Sequence, residues 1–122
     1  MVLLQQLSIS NNNLNGPIPD SIGQCVKLEV LDLSQNKLNG KIPPSLGNCQ
    51  SMRILLFHSN ILSRPIPSSL SKCTVLQRLK VSHKKLKGNL DIGFPIFMKV
   101  LSAYSNNFFG TLTASLAQCR EL

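Results

Sequence analysis

Five stretches of this chain repeat one apolar pattern, and asparagine at positions 12, 36, 60 and 106 marks the same slot in four of them. Lys84 occupies that slot in the remaining copy, so the slots are separated by 24, 24, 24 and 22 residues. Counted from the slot, apolar residues stand at −8, −5, −3, +2, +6 and +10 in every copy. The second copy reads Leu28, Leu31, Leu33, Leu38, Ile42 and Leu46; the third reads Met52, Leu55, Phe57, Leu62, Ile66 and Leu70. All 30 slots are apolar in a chain that is 43% apolar overall, which excludes coincidence. Self-similarity at a period of two dozen residues describes a solenoid, whose single coils bury their apolar faces only against their neighbours.

The alternation at −5 and −3 predicts a short strand with one face inward. Consecutive strands arrive in the same phase, so they run parallel at ~4.8 Å, and five of them make a sheet roughly 19 Å wide. Pro19, Pro43, Pro44 and Pro67, together with Gly and Ser, exclude long helices from the return path and predict short 3₁₀ turns. The expected fold is an α/β solenoid: a right-handed coil with a narrow parallel sheet on its concave face and short 3₁₀ turns on its convex face. The 122 residues form one uncapped array, with copies at about 4–27, 28–51, 52–75, 76–97 and 98–122.

The Asn slot has a mechanical reason. A coil that bends sharply leaves inward N–H and C=O groups that no sheet satisfies, and an amide side chain supplies both a donor and an acceptor. Asn12, Asn36, Asn60 and Asn106 are therefore expected to form a ladder, interrupted by Lys84, which cannot accept a hydrogen bond. Gly16, Gly40, Gly88 and Gly110 at +4 mark a backbone position where a side chain is disfavoured, and Arg64 replaces glycine there once. Cys25, Cys49, Cys73 and Cys119 all fall at +13, and the expected arrangement is a column of small buried thiols. Their side chains would point the same way, which suits neither disulfides nor a tetrahedral metal site.

These residues resemble the plant-specific class of leucine-rich repeats, L-x-x-L-x-x-L-x-L-x-x-N-x-L-x-G-x-I-P. The stretches LEVLDLSQNKLNGKIPPSLGNC (28–49) and VLSAYSNNFFGTLTASLAQC (100–119) carry the resemblance, which extends over the whole chain. It implies the ectodomain of a receptor-like kinase or receptor-like protein, on the extracellular side of the plasma membrane, binding a peptide or protein ligand and a co-receptor. Polygalacturonase-inhibiting proteins share the repeat, so a soluble enzyme inhibitor is the alternative, as is a truncated gene product without function. The chain has no Trp, no capping cysteine pair, no stretch of ~20 apolar residues and no kinase motif, and MVLLQQLSIS lacks the basic start of a secretory signal. It reads as a piece of a longer ectodomain.

A ligand would meet the residues that alternate with the inward leucines. The expected contact set is Ile54, Leu56, His58, Ile61, Arg78, Lys80, His83, Lys85 and Tyr104. Copy one is polar and neutral here, copy three aliphatic and copy four basic. Between Asp32 and Asp91 there is no acid, whereas ten lysines and arginines lie in that interval, and the net charge is +8. An acidic peptide, or one ending in a free carboxylate, fits such a face. Arg78-Leu79-Lys80 is similar to the R-x-R pair with which some receptors of this family hold a peptide's C-terminal carboxylate, although a lysine cannot form the bidentate fork.

Other uses of the charge find less support. Only six residues are aromatic and half of them (Phe57, Phe94 and Phe108) fill core slots, which leaves no stacking platform for nucleic acid in the pattern. His58 and His83 have no acid beside them in the pattern, and no nucleophile, base and orienting group can be assembled. No catalytic residue, metal or cofactor is expected.

Overall fold

The computed structural model describes residues 3–64, 66–81, 85–89, 100–102 and 107–109. Strands β1 (Gln6–Ser8), β3 (Val30–Asp32), β5 (Ile54–Leu56), β7 (Arg78–Lys80) and β9 (Val100–Ser102) form one parallel sheet in that order. Its register follows the sequence period: Leu7 pairs with Leu31, Leu31 with Leu55, Leu55 with Leu79 and Leu79 with Leu101. The leucines at 31, 55 and 79 are fully buried, while the residues on either side of each face outward.

A second parallel sheet, not foreseen from the single alternating segment of each copy, runs beside the first. It contains β2 (Asn15–Pro17), β4 (Lys37–Gly40), β6 (Ile61–Arg64), β8 (Lys85–Asn89) and β10 (Asn107–Phe109). Here pairing falls two residues short of the repeat: Asn15 faces Lys37, Asn39 faces Ile61, and Ser63 faces Lys85. An even offset keeps side-chain parity, so inward residues remain inward. It also brings Leu38 beside Gly16 and Leu62 beside Gly40. Those glycines have φ of +83° and +76°, and a Cβ on Gly16 would meet nothing within 4 Å. Backbone conformation, not crowding, selects glycine at this position.

The two sheets are joined by a tight bend at Asn11, Gln35 and Ser59, each in the left-handed region with φ between 56° and 58°. Just beyond the bend stands the ladder. Asn36 is 8% exposed and Asn60 only 4%. Asn36 Nδ2 donates to the carbonyls of Leu33 and Ser34 in its own coil and of Ile9 in the preceding one, at 3.0–3.1 Å. Its Oδ1 accepts from the N–H groups of Asn12 and Leu14, both at 3.2 Å. Asn60 repeats the arrangement, donating to Leu33 at 2.8 Å and accepting from Leu38 at 3.0 Å. Asn106 and Lys84 lie outside the described residues.

Three 3₁₀ turns, Asp20–Gln24, Pro44–Asn48 and Ser68–Lys72, close the described coils on the convex side, each entered from an extended proline. Gly23 and Gly47 let these turns stack. A Cβ on Gly47 would stand 2.5 Å from the carbonyl oxygen of Ser69, and one on Gly23 would stand 2.6 Å from that of Ser45. Ser45 and Ser69 in turn donate to the carbonyls of Asp20 and Pro44, at 2.7 and 2.6 Å.

The core is a single column of apolar side chains, with Leu28, Leu46, Met52, Phe57, Leu70 and Leu76 wholly buried. Each such side chain contributes about 1.5–3 kcal/mol by leaving water. The first coil is less covered: Leu4 is 40% and Leu14 41% exposed although both occupy apolar slots. Cys25, Cys49 and Cys73 are free thiols in line with the core. The Cys49 thiol points at the Cys25 carbonyl at 3.3 Å, and the Cys73 thiol at the Cys49 carbonyl at 3.5 Å. Burial first, and then the neighbouring thiol one coil earlier, raises the pKa of Cys49 and pushes that of Cys73 up to about 11.

Candidate functional site

The outward residues of the first sheet line up across the strands because its register equals the period. One transverse row is Gln6, Val30, Ile54 and Arg78; the next is Ser8, Asp32, Leu56 and Lys80. Val30, Asp32, Ile54, Leu56 and Lys80 are half-buried and Arg78 is exposed. An aliphatic patch, Ile54 with Leu56, thus lies one strand away from two cations that share a face of β7. Two like charges at alternate residues of one strand stand about 7 Å apart and repel each other until an anion arrives.

The carboxylate of Asp32 is held in place. Its Oδ1 accepts the backbone N–H of Ser34 at 3.1 Å and the Ser34 hydroxyl at 2.6 Å. Arg53 and Glu29 form an ion pair at 3.2 Å at the strand entrances, with both side chains substantially exposed. Among the described residues no other ion pair is formed, so Asp32, Arg78 and Lys80 keep their charges for the solvent or a ligand.

The structure divides the expected contact residues. Ile54, Leu56, Arg78 and Lys80 share the outward face of the first sheet. His58 stands two residues after the end of β5, is half-buried, and uses its carbonyl to accept the Gln35 N–H at 2.9 Å. Ile61, which is 53% exposed, and Lys85 belong to the second sheet instead, because the left-handed bend turns the chain between −1 and +1. His83 and Tyr104 lie outside the described residues. Asp32 was legible only as one of many outward residues; its place in a row with Leu56 and Lys80 needs the register.

An apolar cavity of about 240 Å³ lies at the margin of the first coil, between Leu7, Ile9, Leu14, Ile18 and Leu38. Among the described residues no cluster of His, Cys, Asp or Glu is placed to hold a metal ion, and no helix is long and apolar enough to cross a membrane.

The Leucine Rich Repeat family model matches residues 3–25 and 27–49. No curated protein matches the chain by sequence. Among solved structures, the complex of PEPR1 with AtPEP1 is similar at 36% identity and a TM-score of 0.89, covering 94% of this chain and 16% of that one. The plant peptide hormone receptor RGFR1, in complex with RGF2, is similar at 34% identity and a TM-score of 0.89, covering 98% and 19%. The Arabidopsis thaliana receptor kinase HAESA, in complex with the peptide hormone IDA and the co-receptor SERK1, is similar at 26% identity and a TM-score of 0.77, covering 94% and 24%. The chain therefore spans less than a quarter of each of these proteins.

Proposed function

We propose that this chain, whose repeats match the Leucine Rich Repeat family model and whose fold is similar to plant receptor-kinase ectodomains, is a non-catalytic, peptide-sensing surface of such a receptor. The ligand lies extended across the outward face of the first sheet. Its apolar side chains rest on Ile54 and Leu56, with His58 at their edge, and its acidic or carboxylate end is held by Arg78 and Lys80. His83 and Tyr104 are further candidates by their place in the sequence repeat, whereas Lys85 belongs to the second sheet. A co-receptor is the second partner, and the array works on the extracellular side of the plasma membrane, as the ectodomain plan implies.

The observation that carries the proposal is the pairing of Ile54 with Arg78 and of Leu56 with Lys80. Aliphatic area supplies affinity without regard to charge, while the cations set specificity and speed the encounter. The test is fluorescence anisotropy with acidic peptide pools on the purified chain. Arg78→Glu combined with Lys80→Glu should abolish binding while the circular dichroism spectrum stays unchanged. Undiminished affinity in that double variant would remove the two cations from the ligand site.

A further inference from the structure

Resting on the peptide-binding reading, we infer that Asp32 is the opposite electrostatic pole of this surface, so that its ligand is bipolar: a cationic group over Asp32, an aliphatic residue over Leu56, and an anionic group on Lys80 and Arg78.

Asp32, Leu56 and Lys80 are successive Cα partners in one transverse row. Neighbouring strands are ~4.8 Å apart, so the two charged positions are separated by roughly 10 Å. A ligand in the extended polyproline II conformation, with about three residues per turn, spans that distance between residues three apart whose side chains point the same way. The strand carrying Leu56 stands between them, and no ion pair joins them. The acid is oriented before any ligand arrives, because Ser34 binds Oδ1 through both its N–H and its hydroxyl. Among the described residues no hydrogen bond or ion pair engages the other oxygen, Oδ2, which is left for an incoming donor. Beyond Asp32 the row ends in Ser8, and the adjacent row offers Val30 and Gln6, so no second acid blurs the pole.

A purely acidic ligand gains at Lys80 but meets repulsion at Asp32. A ligand with a cation three residues from its anion gains at both ends, and opposite poles at a set distance discriminate by spacing as well as by sign. Either chain direction satisfies two poles, so the feature that is read is charge separation and not peptide polarity.

The experiment uses three pools of end-blocked octapeptides with central cores Lys-x-x-Glu, Gln-x-x-Glu and Lys-x-x-Gln, where x is Leu, Ile or Val. Binding to the whole chain is followed by fluorescence anisotropy at low salt. The Lys-x-x-Glu pool should bind about tenfold more tightly than Gln-x-x-Glu, and widening the core to five intervening residues should erase the gain. In Asp32→Asn, which keeps an acceptor for Ser34, the lysine should add nothing. In Asp32→Lys, Gln-x-x-Glu should become the better pool. Equal binding of Lys-x-x-Glu and Gln-x-x-Glu by the unaltered chain overturns the Asp32 pole and leaves the basic site standing. Binding by no pool overturns the peptide-sensing reading and this inference together.

Discussion

Asn36 Oδ1 accepts the backbone N–H of Asn12, 3.2 Å away, the residue that holds the same place one coil earlier. Asn36 and Asn60 thus each satisfy their own bend through Nδ2 and the preceding coil through Oδ1. The ladder works as a series of bridges between coils, and cutting any one of them weakens two.

Asn60→Ala should be among the most damaging single substitutions in the described array. It strands the Leu38 N–H and the buried carbonyl of Phe57, and leaves the Leu33 carbonyl with the Asn36 amide alone. Each unpaired buried group costs roughly 1–3 kcal/mol, so a loss of about 3 kcal/mol or more is expected in urea unfolding. Asn60→Asp keeps the acceptor but turns a buried carboxylate oxygen toward the carbonyls of Leu33 and Phe57, and should be at least as costly. If Asn60→Ala proves neutral, the bridge carries no net stability.

Lys84→Asn should raise the melting temperature, because it restores both halves of the amide bridge at the slot where lysine offers no acceptor. The expected gain is on the order of 1–2 kcal/mol, read by differential scanning calorimetry. An unchanged or lower midpoint contradicts the expectation.

Gly47→Ala and Gly16→Ala separate two reasons for glycine. At Gly47 the new Cβ meets the Ser69 backbone oxygen at 2.5 Å, so the convex turns must part. A loss of about 2–3 kcal/mol follows from overpacking a contact that cannot rotate away. At Gly16 the space is open and the cost is the left-handed backbone alone, about 1 kcal/mol. Equal losses in thermal unfolding would refute the distinction.

Stability should fall in alkali partly through Cys73. The folded thiol keeps its proton up to about pH 11, the unfolded one up to about 9. The folded form therefore binds the proton more tightly, and this contribution is complete below pH 9 and lost as pH rises toward 11. Between pH 8 and 10.5, unfolding free energy should drop on the order of 1–2 kcal/mol more in the native chain than in Cys73→Ala. Parallel pH profiles for the two proteins would remove the thiol as the cause.

Much of the candidate site could be read in the residues, because in the first sheet the ladder register equals the repeat. Ile54 beside Arg78 and Leu56 beside Lys80 follow from adding 24 to each number. Ile61 could not be placed in that way. The left-handed backbone at Ser59 sends the chain into a second sheet, and a serine in that conformation carries no distinctive signal. The same holds for Asp32, whose readiness for a ligand depends on how Ser34 folds back on it.

The recurrence of leucines and asparagines, read alone, determined the stacked coil, the parallel strands and the buried ladder. Periodic burial and inward backbone groups permit no other use of those residues. Only the tertiary structure decided the second sheet, its two-residue stagger, and the fit of Gly47 against Ser69. These depend on how far one coil slides across the next. That displacement is set by packing between residues 22 positions apart, and a 24-residue period does not encode it.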